Sequence, residues 1–182
     1  MEALTPNTEK QWFAMRDLKR ANALLPAYKQ LAEAGMEVFT PIATRFTVKD
    51  GKRIRVESPV MRDLLFVNES RQNLDPIVAK TPTLQYRFKK GGKQGEPIIV
   101  PAEDMAKFIG AVQSANNPKF YSAEEIDTLL CGRKIRMIGG ALDGYEGVLQ
   151  TVRGSKTKHL IITLPSLLAV SVDINDEFIE VL

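Results

Sequence analysis

Short apolar runs separated by turn residues fill the last third of the chain, and they constrain the fold more than any other feature. Five such runs lie between Lys134 and Leu182. A series of short strands joined by tight turns is typical of a small closed β-barrel. We therefore predict a barrel domain over residues 131–182. The runs are KIRMI, GVLQTV, HLIITL, LAVSV and FIEVL, and turn residues such as Gly139-Gly140, Asp143-Gly144, Gly154-Ser155 and Asn175-Asp176 punctuate this region.

The first 114 residues combine strand and helix patterns instead. Apolar residues between Leu24 and Ala32 recur with the 3.6-residue period of a helix, and Gly35 is suited to end that helix. Two further helices are predicted to begin at Asp75-Pro76 and at Pro101. This order predicts an α+β sandwich, an antiparallel sheet flanked by helices, over residues 10–114. Its strands are predicted over 11–18, 36–48, 52–56, 60–67, 84–88 and 97–100, with a hairpin turn at Asp50-Gly51.

Residues 115–130 are predicted to link the two domains. The segment SANNPKF, over 114–120, is polar and contains a proline, as linkers often do. Ser122 and Glu125 have the S-x-x-E spacing of a capping box, which predicts a helical turn through Leu130.

The sequence carries no sign of secretion or of a membrane span. Cys131 is the single cysteine, so no intrachain disulfide can form, which fits a reducing compartment. The N-terminus lacks the basic start and apolar run of a signal peptide. The most apolar stretch, Leu160–Val172, is interrupted by Pro165 and is shorter than the roughly 20 residues of a spanning helix. We expect a soluble, cytoplasmic, monomeric protein with no membrane partner.

The net charge of +3 is unevenly distributed. Up to Ser114 there are 18 Lys and Arg against 13 Asp and Glu, and from Ala115 onward there are 7 against 9. The basic excess therefore belongs to the N-terminal region, where it permits a nucleic-acid partner, although ordinary protein surfaces carry a similar excess.

Catalytic and metal-binding motifs are absent from the sequence. His159 is the single histidine, and with Cys131 alone it cannot form a zinc cluster. Gly139 and Gly144 have the spacing of a phosphate loop, but Tyr145 stands where that loop needs lysine. We therefore expect no enzyme activity, no cofactor and no metal site, and an unrecognised enzyme is the least supported alternative.

The segment KIRMIGGALDGYEGVLQTVRG resembles the KOW motif of NusG-type transcription factors and some ribosomal proteins. A strand, a glycine pair and a turn at Gly144 lead through Tyr145-Glu146-Gly147 into the next strand. Ala141 departs from the proline that usually follows the glycine of the motif. Any other SH3-like barrel remains the alternative.

The N-terminal region is similar to the N-terminal domain of NusG, and especially to specialised paralogues such as RfaH and the UpxY-type antiterminators. The resemblance rests on QWFAM, an amphipathic helix, GMEVFTP, a basic hairpin and LLFV, and it extends from Lys10 to Leu182. It implies that the N-terminal domain binds the clamp helices of RNA polymerase. The KOW domain would bind a second partner, such as a ribosomal protein or a termination factor.

The resemblance also implies site residues. The family's polymerase-binding strand often has the pattern aromatic-Pro-Gly-Tyr-Val-Phe-Val, which matches Met61–Val67, with Arg62-Asp63 in place of Pro-Gly. Each candidate in this patch has an alternative role as an ordinary core residue. The candidates for polymerase binding are Met61, Leu64, Phe66, Phe88 and Met105.

Two further sets of candidates follow from the same resemblance. Specialised paralogues contact non-template DNA near the first strand and its helix, and basic side chains there would neutralise phosphates of DNA or RNA. A solvated basic surface is the alternative. An apolar loop, predicted to be exposed, is the candidate contact of the KOW domain. The nucleic-acid candidates are Arg16, Lys19, Arg20 and Lys80, and the loop candidates are Pro165, Leu167 and Leu168.

A second function stays open beside the first. The chain could be an RNA- or ribosome-binding KOW protein that does not act on polymerase. Strong, salt-sensitive binding to bare RNA would favour that alternative.

Overall fold

The computed structural model describes residues 8–19, 23–91, 95–129, 132–151, 154, 156–174 and 178–182. The chain forms two compact units, Met1–Ala102 and Glu103–Leu182. Helices and antiparallel sheets occur together, which confirms the α+β class. The predicted domain boundaries at residues 114 and 130 stay predictions.

The first unit is built on a five-stranded antiparallel sheet. Its central strand β1 (Gln11–Asp17) pairs with β5, β6 and β7, and β2 pairs with the far side of β5. Strands β3 and β4 pair with each other in a separate two-stranded sheet. The remaining elements are α1 (Ala27–Glu33), β2 (Glu37–Phe39), β3 (Ile42–Lys49), β4 (Lys52–Pro59), β5 (Leu65–Glu69), α2 (Arg71–Lys80), β6 (Leu84–Tyr86) and β7 (Ile99–Val100).

One face of this sheet forms the core with α1 and α2. Strand residues alternate between faces, so Phe13 and Met15 of β1 point to the same side as their partners Val67 and Leu65 of β5. All four side chains are buried, and the Phe13 ring meets the Tyr86 ring edge to face at 5.5 Å between centroids. Ala27, Leu31 and Leu74 complete this core from the two helices.

The first helix begins later than predicted. Leu24 and Leu25 fit the helical period but are exposed and precede α1, so their assignment to the helix is wrong. Pro26 has extended backbone, with φ −65° and ψ 156°, and the helix starts directly after it. At the other end Gly35 has φ +82° and donates to the Ala32 carbonyl at 3.0 Å, which confirms it as the stop signal.

Two predicted strands are shorter in the structure. The strand predicted over 36–48 breaks into β2 and β3 at Thr40-Pro41, because proline has no N–H to continue the ladder. The strand predicted over 60–67 begins only at Leu65, since residues 60–64 form turns.

The second helix begins before its predicted start at Asp75-Pro76. Its first residue is Arg71, and the Ser70 hydroxyl accepts the Asn73 N–H at 3.3 Å as the N-cap. Pro76 therefore lies inside the helix, where it removes one backbone donor.

The second unit contains a six-stranded antiparallel sheet in the order β13-β9-β10-β11-β12-β8. The five strands predicted in this region are confirmed, and β8 is additional. Of residues 115–129, only 115–118 lie outside helices and strands, so most of the predicted linker is ordered into β8 and α4. The elements are α3 (Ala102–Ser114, with its first residue in the first unit), β8 (Lys119–Ser122), α4 (Ala123–Leu129), β9 (Arg133–Ile138), a 3₁₀ turn (Gly140–Leu142), β10 (Glu146–Thr151), β11 (Lys158–Leu164), β12 (Leu168–Ile174) and β13 (Phe178–Val181).

Candidate functional site

The segment that enters β5 carries two of the predicted polymerase-binding residues, and both are buried. Leu64 keeps 2% of its surface exposed, and its carbonyl accepts the Thr40 hydroxyl at 3.0 Å. Phe66 is fully buried, pairs with Ala14 of β1, and has its ring centroid 6.3 Å from that of Phe39. These two side chains form part of the interior in this conformation. Their role in polymerase binding stays a prediction.

The other three candidates differ from one another in exposure. Phe88 follows β6, forms an isolated bridge with Pro97, and is 50% exposed. Met61 is partly exposed in the turn before β5. Met105 lies in α3, in the second unit, where it is fully buried. Phe88 therefore offers the largest apolar surface among the candidates.

An ion-pair cluster joins the turn at Met61–Leu64 to the segment after β6. The Arg87 guanidinium donates to the Asp63 carboxylate at 2.8 Å and to the Asp63 carbonyl at 3.1 Å. Arg16 of β1 lies 3.9 Å from the same carboxylate. Burial lowers the pKa of Arg87, and the charge of Asp63 opposes that shift. Sequence reasoning missed Arg87, and the only signal was its position beside Phe88.

The cationic candidates occupy different local settings. Arg16 is exposed on β1, and Lys80 is exposed in the last turn of α2. The Lys19 ammonium donates to the Leu25 carbonyl at 2.8 Å and to the Gln30 amide oxygen at 2.9 Å. Lys19 is thus tied to the start of α1. Arg20 lies outside the described residues.

Further cations stand near Lys19. A cavity of the first unit is lined by Lys19, Lys29 and Arg62, together with the acidic Asp17 and Glu57. Sequence reasoning assigned no role to Lys29. Three basic side chains around one cavity can neutralise phosphate groups, which is the chemistry predicted for Lys19.

The loop candidates of the second unit are mostly buried. Pro165 is exposed, but Leu167 retains 5% of its surface and Leu168 none, so the prediction of an exposed apolar loop is wrong for both leucines. Ser166 takes a positive φ of 61°, and the Leu167 N–H bonds the Leu164 carbonyl at 3.0 Å. This tight turn directs both leucines inward. Their role as a partner contact stays a prediction.

Metal-binding clusters and membrane-spanning helices are absent from the described residues. No group of three or more His, Cys, Asp or Glu side chains among them is placed to hold a metal ion. No helix in the described ranges is long and apolar enough to cross a membrane.

Comparison with known proteins bears on the first unit above all. The family model described as "Transcription termination factor nusG" matches residues 10–109. This range includes the whole five-stranded sheet, the ion-pair cluster around Asp63 and the first part of α3. No curated protein matches the chain.

Proposed function

The protein belongs to the NusG family, since the matching model covers more than half of its 182 residues, and we propose that it binds the clamp helices of RNA polymerase. Family membership gives the chain a role in transcription. Binding at the clamp would favour the closed, pause-resistant state of the polymerase, which is a shift of population between existing states. We propose that this action is regulatory and involves no catalysis.

The contact surface that we propose lies around the Arg87–Asp63 pair. Phe88 supplies a half-exposed aromatic side chain and Met61 a partly exposed thioether. The bond between Arg87 and Asp63 holds their two segments together. An aromatic anchor beside arginine is typical of the residues that dominate binding energy at protein interfaces. Leu64 and Phe66 follow Asp63 along the chain, but both are buried.

The six-stranded sheet of the second unit is proposed to be a KOW-type, SH3-like barrel. The support is the motif at Tyr145-Glu146-Gly147 and the run of five short strands that the structure contains. Its partner would be a ribosomal protein or a termination factor. Arg16, Lys19 and Lys80 are proposed to contact phosphates of non-template DNA, as in specialised paralogues of the RfaH and UpxY type.

The proposal predicts that a purified core RNA polymerase retains the chain and that Phe88→Asp weakens the complex. Replacing an aromatic anchor at an interface costs about 2 kcal/mol or more, which is about a 30-fold increase in Kd. Val181→Asp is the matched control, because Val181 is an apolar residue of similar exposure, 60%, in the second unit. In a transcription assay on a paused template, Phe88→Asp should likewise reduce the effect of the protein more than Val181→Asp does.

Two results would contradict the proposal. One is the absence of binding by the unaltered chain. The other is equal binding by Phe88→Asp and Val181→Asp. Tight binding to bare RNA that weakens steeply with salt, in the absence of polymerase binding, would support the RNA- or ribosome-binding alternative instead.

A further inference from the structure

Strands β3 and β4 form a two-stranded ribbon that belongs to neither larger sheet. Eight residue pairs join the strands, from Ile42 opposite Pro59 to Lys49 opposite Lys52. Asp50 and Gly51 make the turn with φ of 51° and 71°, which is the turn geometry that suits the twist of a hairpin. Both strands are exposed along most of their length. The ribbon therefore offers two open faces.

The ribbon concentrates positive charge. Residues 42–59 contain five Lys and Arg against two Asp and Glu, so this segment alone has a net charge of +3, equal to that of the whole chain. Among the described residues, none of these five cations has an ion-pair partner. Many cations elsewhere, such as Arg71, Arg87 and Arg136, are paired with carboxylates. The five cations are Arg45, Lys49, Lys52, Arg53 and Arg55.

The strand register places cations on both faces of the ribbon. Residues directly opposite each other point to the same side, and successive residues alternate. Arg55 lies opposite Phe46 and Arg53 opposite Val48, so both arginines share a face with apolar side chains. The other face carries the remaining three cations, Arg45, Lys49 and Lys52.

The apolar side chains on the arginine face are also open to solvent. Phe46 is 67% exposed and Val48 is 70% exposed. The Arg53 guanidinium lies 5.5 Å from the centroid of the Phe46 ring. The contact with the ring holds the Arg53 guanidinium at the open surface of this face, where it can bond a phosphate oxygen.

We infer that this ribbon inserts into the major groove of double-stranded B-form DNA. That groove is about 12 Å wide, admits a two-stranded β-ribbon, and has phosphates along both walls. A ribbon that enters this groove edge-on turns one face to each phosphate wall, so cations on both faces match the two walls. A flat charged surface needs cations on one face only. This interaction goes beyond the proposed polymerase contact and involves different residues.

Other nucleic acids fit the ribbon less well. The major groove of an RNA duplex is too deep and narrow for protein side chains to enter. Single strands are bound by successive bases stacked on several aromatic side chains. The ribbon carries one aromatic residue, Phe46, and its ring already has Arg53 beside it.

The test is fluorescence anisotropy of the full chain with a labelled 30-base-pair DNA duplex, its single strand and an RNA duplex of the same sequence. One variant, Arg53→Gln/Arg55→Gln, removes the cations of one face. A second, Arg45→Gln/Lys49→Gln/Lys52→Gln, removes those of the other. The control removes three exposed lysines outside the ribbon, Lys90→Gln/Lys134→Gln/Lys156→Gln. Circular dichroism verifies that each variant is folded.

The DNA duplex should bind most tightly, with an affinity that falls as salt rises. Each lost phosphate contact makes the slope of log K against log salt less steep by about 0.9, so the double variant should lose about 1.8 and the triple variant about 2.7. The lysine control should keep the original slope. Because no polymerase is present, this result is independent of the polymerase assay.

Three results would overturn the inference. The first is tighter binding to the single strand or the RNA duplex. The second is an effect from one face of the ribbon alone, since a ribbon inside a groove uses both. The third is a salt slope that is unchanged in both ribbon variants, which would indicate that the five cations bind a different class of partner.

Discussion

Replacing Gly147 tests how closely the strands of the six-stranded sheet are packed. Gly147 lies in β10 opposite Ile135 of β9, and a Cβ atom built there would overlap the backbone carbonyl oxygen of Ile161 in β11. The same atom would stand 3.0 Å from a methyl of Leu160. A side chain could turn away from an added methyl, but a backbone carbonyl cannot. Gly147→Ala must therefore move β11 relative to β10.

The expected cost follows from that displacement. Extra methyl groups forced into a packed interior cost about 1–3 kcal/mol. The middle of this range, about 2 kcal/mol, corresponds to about a 30-fold change in the equilibrium constant of unfolding. For a unit of this size, it would lower the melting temperature by about 8–16 °C.

Hydrogen exchange measured peptide by peptide is the suitable assay, since it reports each unit separately. Amides of β10 and β11 should exchange about 30-fold faster in Gly147→Ala, because exchange of protected amides follows the free energy of opening. Peptides from β1 and β5 should keep their rates and act as an internal reference. Gln150→Ala, at a partly exposed position of the same strand, is the control substitution.

A Gly147→Ala protein that exchanges at the original rates in β10 and β11 would refute the close approach of these strands. A second test uses size. Gly147→Val should be worse than Gly147→Ala, because the obstruction is steric. Equal effects would point to backbone flexibility in place of a clash.

Two further predictions concern the first unit. Asp17→Ala should cost about 1–3 kcal/mol, because it leaves the buried Ala27 N–H without the carboxylate that accepts it at 2.7 Å. The urea midpoint followed by Trp12 fluorescence measures this cost, and an unchanged midpoint would contradict it. The pKa of Glu69 lies below the ordinary 4.5, chiefly because its carboxylate accepts the Ser70 N–H. The ionised Glu69 should therefore stabilise the fold fully above that pH. This stabilisation should disappear as pH falls through the lower folded pKa. The free energy of unfolding, measured against pH, should fall less steeply on the acid side for Glu69→Gln than for the unaltered protein. The same slope in the two proteins would exclude this role of Glu69.

Strong local patterns explain what could be predicted. The first strand contains a cluster of apolar residues, and β1 covers Gln11–Asp17 almost as predicted. Pro101 followed by Glu103 and Asp104 predicts a helix start, and α3 begins at Ala102. Turn signals of the last third likewise lie between β9 and β10 and, at Gly154, between β10 and β11, whereas Asn175-Asp176 lies outside the described residues. Each of these signals acts within a few residues along the chain.

Side-chain bonds made by residues outside the helices explain the misplaced helix starts. Leu24 and Leu25 satisfy a helical period, but the carboxylate of Asp17 accepts the N–H of Ala27 and so holds the start of α1 after Pro26. The predicted start of α2 at Asp75-Pro76 is too late, because the Ser70 hydroxyl accepts the Asn73 N–H and caps the helix before that point.

The candidate site shows a related limit of sequence patterns. Alternation along a strand identifies which residues share a face, but it does not reveal whether that face is covered. Phe66 and Phe88 are both aromatic residues next to strand-like runs, yet Phe66 is fully buried and Phe88 is half exposed. Exposure is a property of the whole fold, so local sequence patterns could not predict it for these two residues.

Asp63, the second residue of the Arg-Asp pair that stands where the resemblance leads us to expect Pro-Gly, has its bonding partner 24 residues away. Asp63 receives two bonds from Arg87, one to its carboxylate and one to its carbonyl. Burial alone disfavours the charged form of Arg87, and the Asp63 charge offsets that penalty. The loss of Asp63 would leave the half-buried Arg87 without the charge that offsets its burial. Asp63 and Arg87 therefore act as one unit, and the altered motif shapes the same surface that the proposed polymerase contact uses.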